Sequence, residues 1–147
     1  MKITISPIQK ARLAYAPKLP SALRSGANVV CKEGKKMKPF ADEKKIKERF
    51  PNTSNMPLLQ FSAGSGASLK KPVNVGVILS GGQAPGGHNV IAGLFDGLKS
   101  LHPKSKLYGF NGGPSGLVDN KFVEITNEFL ADFRNTGGFD MIGSGRT

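Results

Sequence analysis

The sequence is poor in the residues that most often reveal a function. One cysteine, Cys31, stands among 147 residues, so no intrachain disulfide can form and no thiol cluster can hold zinc. Only two histidines occur, His88 and His102, and neither has an Asp or Glu near it in sequence that would complete a catalytic pair. No carboxylates are paired at a useful spacing, no Ser-His-Asp order is evident, and Asp119 and Asp140 read as turn and strand-entry residues rather than metal ligands. No apolar run reaches the length that spans a bilayer, and the opening Met1-Lys2-Ile3-Thr4-Ile5-Ser6-Pro7 lacks the apolar core of a secretory signal. No membrane partner is expected, and the cytosol is the expected location.

Acidic residues are scarce in the first half. All of the +11 net charge falls within residues 1–72, and residues 73–147 balance to zero. A lysine-rich segment is ordinarily a solvated face or a flexible arm; the competing reading is a surface for nucleic acid or an acidic partner. Few aromatics interleave with these lysines, only Phe40 and Phe50 in the densest part, which favours the first reading and argues against nucleic acid.

With 38% apolar residues the chain can bury a core. Ser6-Pro7 opens a short helical pattern that Pro17 and Pro20 close. Val29-Val30-Cys31 and Leu58-Leu59-Gln60-Phe61 read as short strands, Lys32–Lys38 as a charged loop, and Asp42 as the cap of a helix running to about Phe50. The Gly/Ser stretch Ser62–Ser68 reads as a linker. We therefore expect a basic extension over residues 1–72 and the start of an α/β domain over 73–147.

That second part is organised around Val73–Val90. An apolar, β-branched run (Val73–Leu79) breaks into Ser80-Gly81-Gly82, then resumes with Val90, Ile91, Leu94, Phe95 and Leu98 at helical spacing. A strand that turns through glycines into a helix N-terminus can cradle phosphate, because free N–H groups and the helix dipole converge there. The alternative is a merely tight turn. The Walker A lysine is missing, with Gly86-Gly87-His88 in its place, and the adjacent Gly81 and Gly82 do not fit the alternating dinucleotide fingerprint. Further on, Lys106–Phe110 and Phe122–Ile125 read as strands, Gly116–Asn120 as a turn, Thr126 or Asn127 as the cap of a short helix, and Phe139–Ile142 as a last strand. Arg146, beside a glycine-flanked turn, has the guanidinium that matches phosphate oxygens bidentately.

Ser80-Gly-Gly-Gln-Ala-Pro-Gly-Gly-His-Asn89 resembles the phosphate-binding turn of the phosphofructokinases, and Gln83 and Gly87-His88 resemble their long-chain pyrophosphate-dependent branch. Tyr108-Gly-Phe-Asn-Gly-Gly-Pro-Ser-Gly116, Asn135–Thr147, Phe50-Pro51-Asn52-Thr53 and Ser6–Arg12 extend the resemblance over nearly the whole chain. It implies the N-terminal portion of a Rossmann-like three-layer domain. It also implies a reversible, Mg²⁺-dependent transfer of phosphate from diphosphate to the 1-hydroxyl of fructose 6-phosphate, in a homo- or hetero-oligomer. On this resemblance Gly81, Gly82 and Gln83 hold the diphosphate, with Gly81 as its backbone contact, and Arg146 matches the phosphate-binding arginine of the next loop. Ile91 and Phe95 stand where regulated bacterial relatives carry effector-binding arginines. The Gly-Gly-Asp-Asp metal segment and the Thr-Ile-Asp-Asn-Asp segment with its general base are not among these residues, so the chain alone is expected to be inactive. The alternative is a truncated, non-catalytic phosphate-binding or subunit-interaction module.

Overall fold

A computed structural model describes residues 5–26, 28–65 and 68–146. The chain is mixed α/β with two small sheets, divided between two compact units: residues 19–67, and residues 1–18 together with 68–147. Gly66 and Ala67 of the expected linker lie outside the described residues, as does Thr147.

The larger unit begins with α1 (Pro7–Ala14), which starts where the sequence suggests because the Ser6 hydroxyl accepts the Gln9 N–H at 3.1 Å. Arg12 of this helix donates to the carbonyls of Asp132 and Arg134, and the Asn135 amide donates to the carbonyls of Arg12 and Tyr15.

The unit of residues 19–67 has a 3-10 turn at Ser21–Leu23, then β1 (Val29–Lys36), α2 (Glu43–Arg49) and β2 (Pro57–Ala63). β1 and β2 pair antiparallel with Cys31 opposite Phe61. The expected charged loop at Lys32–Lys38 is therefore strand as far as Lys36, because its backbone pairs with Pro57–Gln60 whatever its side chains prefer in water. Asp42 precedes α2 in the left-handed region, φ 52°, and its carboxylate lies 3.6 Å from the Lys45 ammonium instead of capping the helix. No described residue of this unit is buried.

The α/β unit continues with β3 (Asn74–Val77), α3 (Gly87–Leu101), β4 (Lys106–Phe110), α4 (Pro114–Val118), β5 (Phe122–Ile125) and α5 (Asn127–Ala131). The sheet order is β3-β4-β5, with β3 parallel and β5 antiparallel to β4. Alternation along the strands sends Val77, Leu107 and Ile125 into one core, where they meet Ile91, Phe95 and Leu98 of α3 and Leu130 of α5. Gly109 belongs to that face as well; a Cβ there would lie 2.6 Å from Ile142. The other face carries Tyr108, Phe110 and Phe122 in edge-to-face contact, with ring centroids 5.4 and 5.8 Å apart, around an open hollow of about 270 Å³ floored by Gly76. At its rim Lys106 and Glu124 pair at 2.9 Å, and that hydrogen bond raises the Lys106 pKa above its ordinary value.

Two expectations are corrected. Gly116–Asn120, read as a turn, overlaps α4, which uses Pro114 at its first position. Phe139–Ile142, read as a last strand, joins no ladder: the Met141 N–H goes to a side chain, and the Ile142 carbonyl accepts the Gly112 N–H, while both side chains are buried. Only Gly145, further on, makes a parallel bridge, to Ser80. Among the described residues no helix is long and apolar enough to cross a membrane.

Two substitutions in α3 should differ in sign. Ile91→Ala, at a fully buried site, is expected to cost about 2–5 kcal/mol. Gly93→Ala, whose new methyl would meet open space on the exposed side of the helix, is expected to gain about 0.5–1 kcal/mol. Denaturant midpoints measure both.

Candidate functional site

Beyond the carboxyl ends of β3 and β4, three glycine turns meet with no side chains between them. The first is Ser80-Gly81-Gly82, in which Gly81 takes φ +106°. The second is Gly112-Gly113, φ +78° and +79°, ahead of α4. The third is Gly143–Arg146. Their backbones are bonded directly: Gly81 N–H to the Gly145 carbonyl at 2.9 Å, Gly145 N–H to the Leu79 carbonyl at 3.4 Å, and Gly112 N–H to the Ile142 carbonyl at 2.8 Å. A Cβ on Gly113 would come within 2.5 Å of the Gly145 nitrogen, and one on Gly145 would overlap the Gly112 carbonyl. The glycines are required because main chain packs on main chain.

The four residues picked out from the sequence fall as follows. Gly81 sits at the centre of the junction, but its own N–H is taken by Gly145. Among the described residues, the N–H groups of Gly82 and Gln83 have no acceptor in the chain. The Arg146 guanidinium lies beside Gly82, its Nη2 3.6 Å from where a Cβ would stand, and Arg146 is exposed. Gln83 is exposed too, and with Ala84, Pro85, Gly138 and Phe139 lines a depression of about 280 Å³. The first turn, the third turn and the cation are thus brought together, around N–H donors and a positive charge.

The N-terminus of α3 is partly closed by protein. Gly86 N–H donates to the Gly137 carbonyl at 2.7 Å and His88 N–H to the Gly138 carbonyl at 3.0 Å, so two of its donors are closed by protein. Among the described residues, the Gly87 and Asn89 N–H groups of the helix start have no acceptor in the chain, and neither do those of Gly82 and Gln83 in the turn upstream.

His88 is the residue that local reading missed. It is 3% exposed and bonded at both ring nitrogens. Nε2 accepts the Met141 N–H at 3.0 Å, and Nδ1 lies 2.5 Å from the Thr136 hydroxyl, which itself donates to the Phe133 carbonyl. That pattern makes Nε2 the acceptor and Nδ1 the donor. The Asp140 carboxylate is 2.9 Å from Nε2, but it is 81% exposed and can turn to water, whereas the buried Met141 N–H has no other acceptor in the chain. The partners stand 48 to 53 residues away in sequence, so no local signal reveals them. Nearby, Asp96 grips Arg134 through two hydrogen bonds of 2.7 and 2.9 Å; these raise the Arg134 pKa although burial opposes them.

Magnesium does not fit this junction. Its ligands would have to be oxygen donors, whereas the groups offered are N–H donors and a guanidinium, and among the described residues no three His, Cys, Asp or Glu side chains converge. The arrangement suits an anion.

Comparison with known proteins supplies the context. No protein-family model matches the chain. The chain is 51% identical over 142 residues to a pyrophosphate–fructose 6-phosphate 1-phosphotransferase of Porphyromonas gingivalis, covering 97% of this chain and 26% of that protein. It is 43% identical to the enzyme of that name from Entamoeba histolytica, over 99% of this chain and 27% of that protein. A third relative, subunit beta 2 of the Arabidopsis thaliana phosphotransferase, is 41% identical over 96% of this chain and 25% of that protein. The chain is homologous to a fragment of these phosphotransferases. It spans about a quarter of the length of the curated relatives it matches.

Gly145→Ala is expected to force the second and third turns apart and to destabilise the unit by about 1–3 kcal/mol. Gly137→Ala, at a positive φ with open space around it, should cost less, about 1 kcal/mol. Thermal melts of the two variants give the order.

Proposed function

We propose that this chain is part of a pyrophosphate-dependent phosphofructokinase and supplies part of its diphosphate pocket. The single observation that carries this reading is the meeting of two unpaired N–H groups and Arg146 at the glycine junction. Gly81, at φ +106°, makes the turn that leads into the open Gly82 and Gln83 N–H groups. Those donors and the Arg146 fork hold a diphosphate in one orientation, so that its terminal phosphoryl group faces the 1-hydroxyl of fructose 6-phosphate. Positioning and charge compensation are the larger part of phosphoryl-transfer catalysis, and fructose 1,6-bisphosphate is the product in the forward direction.

The metal, the general base and the sugar site belong, on this proposal, to residues outside this chain, which is inactive by itself. The complete domain is a Rossmann-like three-layer fold, with residues 73–147 as its start and residues 1–72 as a basic extension. Its remaining layer covers the aromatic face of Tyr108, Phe110 and Phe122. The enzyme is cytosolic and oligomeric, a state supported by the naming of the Arabidopsis relative as a subunit. A subunit-interaction role gains support from residues 19–67, which expose Phe40, Phe50 and Phe61 with nothing buried beneath them.

The test uses the full-length polypeptide carrying this chain. It is expected to form fructose 1,6-bisphosphate from fructose 6-phosphate with diphosphate and Mg²⁺, and not with ATP. Arg146→Ala should raise KM for diphosphate about ten- to a hundredfold, the loss expected for a charge-assisted pair. Activity with ATP alone, or an unchanged KM, would overturn the reading.

A further inference from the structure

We propose that His88 is a positioning residue for the anion site: an imidazole latch that fixes Arg146 relative to the Gly81–Gln83 turn. The proposal rests on the diphosphate reading above.

The third glycine turn has no strand of its own to hold it. Residues 139–146 are tied to the rest of the unit through Met141, Ile142 and Gly145. The last two ties are main chain to main chain. The first runs from Met141 N–H to His88 Nε2, and among the described residues His88 is the only side chain that hydrogen-bonds the backbone of this segment. His88 lies in the first turn of α3, a few residues after Gly82, so one ring spans the two parts of the site.

Everything around the imidazole fixes its orientation. Nδ1–H is directed by the Thr136 hydroxyl, whose own proton is committed to the Phe133 carbonyl. The Phe133 ring meets it edge-on, with centroids 4.9 Å apart. Gly138 lies so close that a Cβ there would be 2.5 Å from the imidazole Cε1. A ring held at both nitrogens fixes the Met141 amide, from which a short lead runs to Arg146. Such placement is what orientation-dependent catalysis requires. Asparagine-135, threonine-136 and the two glycines that follow thereby acquire a joint role, since Asn135 anchors α1, Thr136 aims the ring, Gly137 caps Gly86 and Gly138 makes room.

The experiment is steady-state kinetics on the full-length polypeptide with inorganic diphosphate as the varied substrate. His88→Leu keeps bulk but removes both ring bonds; it is expected to raise KM for diphosphate about tenfold or more while leaving KM for fructose 6-phosphate within about twofold. His88→Gln, whose carboxamide oxygen can still accept from Met141, should recover most of that loss. Thr136→Val leaves the Met141 bond in place but frees the ring, and should give a smaller rise in the same constant. It decides the matter if His88→Leu does not fold. A fall in kcat that only tracks the folded fraction, with KM for diphosphate unchanged in the variants that fold, would overturn the proposal. If the parent enzyme shows no diphosphate-dependent activity, the functional reading falls and this inference falls with it; if the parent is active and only the variants disagree, the inference alone fails.

Discussion

Direct packing of main chain on main chain is the constraint on which the α/β unit depends. Ser80–Gly82, Gly112-Gly113 and Gly143–Arg146 approach so closely that a single methyl on Gly113 or Gly145 would collide with the neighbouring backbone. The contact is possible only where side chains are absent, and it holds an irregular segment against the ends of β3 and β4 without a sheet ladder. The core behind it, from Val77 through Ile91, Phe95, Leu107 and Ile125 to Ile142, fixes the strands so that their turns arrive at one place. Burial therefore provides stability, and the glycine contacts convert that stability into a site.

The N–H groups of the glycine junction divide into those the fold has used and those it leaves over. Gly81, Gly86 and His88 spend their N–H groups on protein carbonyls, while Gly82 and Gln83 keep theirs open beside Arg146. The distinction matters because a glycine-rich turn before a helix suggests that the helix N-terminus does the binding. In this chain two donors of that end, from Gly86 and His88, are taken by the carbonyls of Gly137 and Gly138, while those of Gly82 and Gln83 stay open in the turn.

Much of this was legible in the sequence where the signal was local. The strands Lys106–Phe110 and Phe122–Ile125 have the predicted bounds, α3 contains the whole helical spacing from Val90 to Leu98, and Ser6 caps α1 as its chemistry suggests. What was not legible depended on partners far along the chain. Lys32–Lys36 became strand because Pro57–Gln60 lies beside it. Phe139–Ile142 has the apolar character of a strand, yet its polar groups pair with His88 and Gly112 instead of a ladder. His88 itself looked solitary, since Thr136 and Met141 reach it only after folding. At the glycine junction the residue types were readable, but which N–H groups remained open was not, because a hydrogen-bond inventory requires coordinates.

The glycine junction also bears on how such a protein records its own contacts over evolutionary time. Residues that touch usually betray themselves by changing together, a larger side chain on one compensated by a smaller one on the other. Gly113 and Gly145 have nothing to trade, since neither can grow and neither can shrink. This contact of main chain on main chain would thus leave no correlated substitutions, and methods that infer proximity from paired change would draw a blank where the loops meet.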